Sequence, residues 1–148
     1  MFKYEKAYRQ GEILIFKVKS LKGINIRGRN YEKPRRVLNG VIREGEKEGH
    51  EHKIVIRTCL ECGTKNRLPD IIDENKAPVC GQCKKPLTIE KSTATLEMFG
   101  EETGALKTDE PVTLIHPEHK KVELPKGEYV VKVQKEATGK NKSASVKD

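Results

Sequence analysis

Four cysteines in two closely spaced pairs are the feature of this 148-residue chain that most limits its fold. Two residues separate Cys59 from Cys62 and Cys80 from Cys83, and 17 residues lie between the pairs. A two-residue gap lets both thiolates of a tight turn reach one ion, and two such turns supply the four sulfur ligands of a tetrahedral Zn²⁺ site. We therefore predict a structural Cys₄ zinc site, held in a zinc ribbon at residues 58–91.

Three other roles for the same cysteines have less support from the sequence. Disulfides do not persist in the cytoplasm, and the chain begins MFKYEKAYRQGE, without the apolar region of a secretory signal. Neither pair lies in a βαβ pattern, which a redox-active CxxC would favour. The aromatic shell expected around rubredoxin-type iron is absent. We therefore expect a cytoplasmic protein that binds zinc through Cys59, Cys62, Cys80 and Cys83.

The composition limits how the rest of the chain can fold. Only 34% of the residues are hydrophobic, with seven aromatics and no Trp, so a single large core is not expected. The longest apolar run is Ile13–Phe16, far short of the roughly 18 residues needed to cross a bilayer, so we expect no membrane span. We predict two small cores, one of them centred on the metal, because a ribbon below about 40 residues rarely folds without such help.

Short apolar segments bounded by Gly and Pro predict strands almost throughout. The predicted strands are Ile13–Val18, Val37–Ile42 with a bulge at Gly40, Lys53–Arg57, Thr93–Phe99, Ala105–Thr108, Val112–Ile115 and Tyr129–Val133. Only Pro69–Asn75 has the pattern of a helical turn. The fold class is therefore mainly β, a small antiparallel β-barrel or sandwich, with a cupin-like form as one alternative and the zinc ribbon as an insertion.

This reading divides the chain into three parts. Residues 1–57 and 92–137 form the β-barrel or sandwich, residues 58–91 form the ribbon, and residues 138–148 form a flexible tail. If the ribbon is an insertion, the strands that flank it, Lys53–Arg57 and Thr93–Phe99, are expected to be neighbours.

The net charge of +8 is concentrated near the amino terminus. The stretch Lys17–Arg36 holds eight basic residues and one acid, Glu32, and such a stripe is typical of nucleic-acid binders. Tyr31 is the only aromatic within the stretch, which weakens the case for base stacking. A solvated loop is the alternative. The candidate partner-binding residues are Lys17, Lys19, Lys22, Arg27, Arg29, Lys33, Arg35 and Arg36.

All four histidines fall in two short motifs, GHEH and HPEH. His50 and His52 would share one face of a strand, and His116 and His119 could turn toward one point around Pro117. These four are candidates for a catalytic or second metal site that Glu51 or Glu118 could complete, and the imidazoles would suit Zn²⁺, Fe²⁺, Ni²⁺ or Mn²⁺. The alternatives are some other functional contact or ordinary surface loops.

The run TCLECGTKNRLPDIIDENKAPVCGQCKKPL at residues 58–87 resembles the zinc ribbon that precedes the catalytic domain in the thioredoxin-2 family. The likeness covers about 30 residues and carries only the ribbon, because no thioredoxin domain and no WCGPC site follow. It implies a zinc-binding ribbon and no oxidoreductase activity.

Two further resemblances concern the rest of the chain. The HxH and later His, with VELPKGEY at residues 122–129, faintly resemble a metal-bearing cupin, although Gly45 and the residues after His52 depart from its spacing. The sequence also resembles a family of small uncharacterised bacterial and phage-associated proteins, which implies no particular reaction. The matching positions are Gln10, Gly11, Gly45, Gly49, His50, His52, His116, Glu118, His119, Leu124, Pro125, Gly127, Tyr129 and Gln134.

The sequence therefore favours a zinc-binding interaction or assembly module whose ribbon and basic face contact a protein or nucleic acid. A metal-dependent enzyme using His50, His52, His116 and His119 is the alternative, and a structural accessory protein of a phage or other particle is a second one. The chain has no phosphate-binding glycine loop, no GxSxG elbow and no cysteine outside the two pairs, so any chemistry would occur at histidine.

Overall fold

The computed structural model describes residues 2–26, 34–43, 51–71, 78–100 and 102–134. Ten strands occupy these ranges: β1 (Lys6–Gln10), β2 (Ile13–Val18), β3 (Arg35–Arg36), β4 (Val41–Arg43), β5 (His52–Ile56), β6 (Thr95–Met98), β7 (Thr103–Thr108), β8 (Val112–Ile115), β9 (Val122–Leu124) and β10 (Gly127–Val133). They form a six-stranded sheet in the order β1-β2-β10-β7-β6-β3 and a four-stranded sheet in the order β4-β5-β8-β9. Every pairing between these strands is antiparallel.

The two sheets share one core, so the fold is a sandwich. In the larger sheet, β2 pairs with β10 so that Ile15 lies opposite Val131, and both side chains are fully buried. Ile54 and Leu114, paired in the smaller sheet, belong to the same buried cluster. The sandwich alternative is therefore confirmed, and the two sheets are not closed into a barrel.

Most strands were predictable because they are short apolar segments between turns. Ile13–Val18 and Val112–Ile115 are found as predicted, and β6 buries Leu96 and Met98 on one face as expected. The strand predicted at Val37–Ile42 is instead divided, with β3 before it and β4 at its end.

Gly40 causes this division. Its φ is +77°, and a Cβ there would lie 2.3 Å from the carbonyl oxygen of Ile54. The close approach lets the Ile54 amide donate a 2.8 Å hydrogen bond to the Gly40 carbonyl. The register between β4 and β5 then shifts after Val41, so the irregularity predicted at Gly40 lies at the start of β4.

The strands that flank the ribbon are not neighbours, so that expectation was wrong. β5 lies in the four-stranded sheet between β4 and β8, whereas β6 lies in the six-stranded sheet between β7 and β3. The chain therefore enters the ribbon from one sheet and leaves it into the other.

The ribbon also packs on the sandwich, which corrects the prediction of two separate cores. Its buried residues Cys59, Leu68, Cys80, Leu87 and Ile89 belong to the same contiguous cluster as the sandwich core. Backbone hydrogen bonds join the two parts, from the amide of Ile56 to the carbonyl of Leu87 and from Lys121 to Asp70. The apolar residues thus form a single core that extends under the ribbon.

Several predictions fall on residues outside the described ranges. They concern His50, Arg27, Arg29, Lys33, most of the helical turn at Pro69–Asn75 and the tail at 138–148. Within the described ranges, no helix is long and apolar enough to cross a membrane.

Candidate metal centre and neighbouring sites

Each cysteine pair lies in a tight turn of the same design. The amide of Cys59 bonds the carbonyl of Thr64, and the amide of Gly63 bonds back to the carbonyl of Cys59. In the second turn the amide of Cys80 bonds the carbonyl of Lys85, and that of Lys84 bonds the carbonyl of Cys80. The two turns are therefore equivalent, and each presents its two sulfurs toward the other.

The residue that reverses the chain differs between the turns. Gly63 directly follows Cys62 and has φ +77°, a conformation that glycine adopts without steric cost. The equivalent residue of the second turn is Lys84, which has φ +66° and is the one positive-φ residue other than glycine among those described. Gly81, inside the second turn, does not adopt this conformation.

The four sulfurs form a compact group. All lie within 4.8 Å of one another, with Sγ separations of 3.4 Å between Cys59 and Cys83 and 3.6 Å between Cys62 and Cys80. A tetrahedral Zn²⁺ ion with bonds of about 2.3 Å places its sulfurs about 3.8 Å apart. All four cysteines are free thiols, so the geometry fits a shared metal ion rather than two disulfides.

The thiols are electrostatically suited to a cation. Hydrogen bonding, chiefly from the backbone amide of Cys83, lowers the pKa of Cys80 to about 6. The Lys85 backbone amide lowers the pKa of Cys83, but desolvation and the other three thiols outweigh it and raise that pKa to about 12. Four thiolates this close together would repel one another, and a bound dication offsets that repulsion.

The two histidine motifs meet, as their spacing suggested. The ring centroids of His52 and His116 are 4.3 Å apart, and His119 lies 4.5 Å from His116 and 5.9 Å from His52. His52 and His116 are buried, whereas His119 is partly exposed. His50 lies outside the described residues, so three of the four predicted histidines are placed together.

Hydrogen bonds orient His52. The buried side-chain amide of Gln10 donates to the carbonyls of Leu114 and Lys120, each at 2.9 Å, which turns its oxygen toward Nδ1 of His52, also at 2.9 Å. His52 therefore carries a proton on Nδ1, and its Nε2 lies 3.3 Å from the carboxylate of Glu12. Because Gln10 is on β1 and Leu114 on β8, this network joins the two sheets.

The orientation of His116 does not suit metal ligation. Its Nδ1 accepts hydrogen bonds from the backbone amides of Glu118 (2.9 Å) and His119 (3.2 Å). In the neutral ring the proton then lies on Nε2, and neither nitrogen offers a lone pair to a metal. Across the described ranges, the four cysteines are the one group with three or more potential ligand atoms within metal-binding distance, so a second metal site is not evident at the histidines.

The basic stretch is divided between two separate parts of the larger sheet. Lys17, Lys19 and Lys22 lie in β2 or just after it, whereas Arg35 and Arg36 form β3 at the opposite end of the strand order. All but Lys17 are exposed, and Lys17 is ion-paired with Glu5 at 3.7 Å. Arg27, Arg29 and Lys33 are outside the described ranges.

An aromatic cluster beside these lysines was missed in the sequence. Phe2 and Tyr4 pack against Phe16, with ring centroids 5.4 Å and 5.0 Å from it. The signal was available, because Phe16 alternates with the buried Ile13 and Ile15 and must face outward. All three rings lie before Lys17 and therefore outside the basic stretch.

The comparisons with known proteins cover part of the chain. A family model described as a domain of unknown function (DUF8820) matches residues 84–134. This match begins just after the fourth cysteine, ends just after β10, and includes His116 and His119. Searches of the curated proteins and of the solved structures found no significant match. The matching family carries no assigned activity, so function must be argued from the site.

Proposed function

We propose that this protein is a zinc-binding module that contacts nucleic acid through its ribbon and its basic face. The observation that carries the proposal is the group of four cysteine sulfurs within 4.8 Å of one another on two equivalent turns. A Cys₄ centre is closed, with no open position for a substrate, and such centres stabilise small folds or support contacts. Free thiols also fit the reducing conditions of the cytoplasm.

The charge around the metal centre supports nucleic acid as the partner. Four basic residues of the ribbon are exposed, Lys65 and Arg67 after the first turn and Lys84 and Lys85 after the second. On the sandwich, Lys19 and Lys22 add further exposed cations. Lys and Arg on a rigid support can contact phosphates and release their counterions, which is the main source of sequence-independent affinity.

Two measurements test this proposal. Elemental analysis of the purified protein should find one zinc per chain. Binding to a labelled oligonucleotide should weaken as the salt concentration rises. The double variant Lys65→Glu with Lys84→Glu should reduce the slope of log affinity against log salt concentration by about 1.5, because each phosphate contact contributes roughly 0.7 to 0.9 to that slope. A matched control is Lys120→Glu with Lys126→Glu, two exposed lysines of the sandwich. A protein without affinity for any nucleic acid at low salt would refute the nucleic-acid part of the proposal.

A metal-dependent enzyme is the second candidate function. It is supported by the meeting of His52, His116 and His119 within one cluster, and opposed by the hydrogen bonds at Nδ1 of His116. Two metals per chain, with one lost in His52→Ala, would raise this candidate above the binding module. A structural role in a phage or other particle is a third candidate and rests on the family resemblance alone.

A further inference from the structure

The amino-terminal segment and β2 build an aromatic surface on the outer face of the larger sheet. Phe16 points away from the core, and its partner in the register, Val130, is fully buried although it is not part of the main core cluster. Phe2 packs edge-on against Phe16 with an interplanar angle of 75°. Tyr4 covers Phe16 at a tilt and leaves 51% of its own surface exposed. The Tyr4 ring is thus held by its neighbours while remaining open to solvent.

A groove of about 770 Å³ runs beside these rings. Phe2 and Tyr4 line one part of it, and the segment from Lys19 to Asn25 lines another. Aromatic rings and the loop after β2 therefore form one concave surface, although the two segments are about fifteen residues apart in the sequence.

The groove is positively charged. Lys3, Lys19 and Lys22 contribute to its lining and all three are exposed. Glu5 is the single acid among the residues recorded as lining it, and it is already ion-paired with Lys17 at 3.7 Å. Among the described residues, none of these three lysines has an acidic partner, and exposed cations beside an open aromatic ring match a ligand that carries both a flat ring and a chain of negative charges.

We propose that this groove binds single-stranded nucleic acid, with a base stacked on Tyr4 and phosphates held by Lys19 and Lys22. The inference rests on the proposed function and deepens it, since it names the site and the form of the nucleic acid. Stacking needs an exposed base face, and in a duplex those faces are already stacked on each other. The lysines alone would attract duplex and single strand alike, so the ring is the element that selects the single strand.

The test compares single-stranded oligothymidylate of 15 nucleotides with its duplex, by fluorescence anisotropy on the full zinc-loaded chain. We expect the single strand to bind at least fivefold more tightly. Tyr4→Ala should weaken single-strand binding about 5- to 160-fold, the range for loss of one stacked base, and leave duplex binding unchanged. Tyr4→Phe keeps the ring and should bind as the parent does. The control Leu38→Ala removes an apolar side chain of similar exposure, 49%, that does not line the groove, and should change nothing.

A second pair of variants tests the cations. Lys19→Glu with Lys22→Glu should weaken the single strand more than Lys120→Glu with Lys126→Glu, which makes the same change of charge elsewhere. Equal affinity for single strand and duplex, or a Tyr4→Ala protein that binds the single strand as the parent does, would overturn the inference and leave the proposed function standing. Failure to bind either form would instead refute the nucleic-acid part of the proposed function, and the inference with it.

Discussion

Among the described residues, potential metal ligands gather in two clusters, of which one is arranged like a metal site. In the ribbon, four thiols converge, and they lie on turns whose backbone amides point toward the sulfurs, such as the amide of Gln82 toward Cys80. In the sandwich, three imidazoles also converge, with ring centroids 4.3 Å to 5.9 Å apart. There, however, the ring nitrogens of His52 and His116 face groups of the protein itself.

The difference shows that proximity of ligating residues does not define a metal site. A ligand nitrogen needs a lone pair aimed at the ion and a donor bond from its other nitrogen to fix it. His52 meets the second condition through Gln10, whereas His116 accepts where it would have to donate. The imidazole cluster is better described as a polar joint, because Gln10 and His52 connect β1 of one sheet with β5 and β8 of the other.

Removing a zinc ligand should distinguish the two clusters by the largest effect on stability. Cys80→Ser takes one of two buried sulfurs from the centre, and structural zinc contributes on the order of 10 kcal/mol, comparable to the total stability of a domain. We expect the variant to lose its zinc and the ribbon to unfold. Because the ribbon shares the sandwich core, the melting temperature of the whole protein should fall as well. Chelation of the parent protein should reproduce this loss, and a Cys80→Ser protein that melts like the parent would show that no metal stabilises the ribbon.

A smaller effect is expected when the imidazole cluster is damaged. His52→Ala removes a ring that is 1% exposed and leaves the oxygen of the fully buried Gln10 without its donor, which should cost about 3 kcal/mol in urea unfolding. The zinc content should not change. His119→Ala, at a partly exposed ring, is the control and should cost less. Loss of a second metal from His52→Ala would break the comparison, because the cluster would then be a metal site.

These two clusters also show what the sequence could and could not predict. The cysteine spacing alone was sufficient for the Cys₄ group, because a CxxC turn fixes its own geometry within five residues. The meeting of His52 with His116 and His119 was foreseen, but the role of Gln10 was not, since it depends on a contact between residues 42 positions apart. The docking of the ribbon was missed for the same reason: Leu87 and Ile89 resemble loop residues until the sandwich core lies beneath them.

Lowering the pH should weaken zinc binding, because protons compete with the metal for the cysteine sulfurs. The pKa of Cys83 is raised to about 12, so this group is still a thiol at neutral pH and must release its proton to bind the metal. Affinity should therefore fall at least about tenfold for each unit of pH lowered. Cys80, whose pKa is about 6, is already a thiolate at neutral pH. It makes the zinc affinity more dependent on pH only below about pH 6. Competition with a chromophoric chelator between pH 5 and 8 measures the slope, and an affinity independent of pH would exclude thiolate ligation.

The smallest expected difference is between alanine substitutions at two glycines, Gly11 beside the imidazole cluster and Gly63 in the ribbon. Gly11 and Gly63 both have positive φ, +56° and +77°, so alanine strains the backbone at either position. At Gly63 a Cβ would meet nothing within 4 Å, and Gly63→Ala should cost only the conformational penalty, about 1 kcal/mol. At Gly11 it would lie 2.8 Å from Nε2 of His119 and 3.2 Å from Cε1 of His52, so Gly11→Ala should cost about 2 kcal/mol as the rings are displaced. Urea unfolding of the two variants measures the difference. Equal costs would mean that the imidazole rings yield freely, and the cluster would then not be the rigid joint between the sheets that its hydrogen bonds indicate.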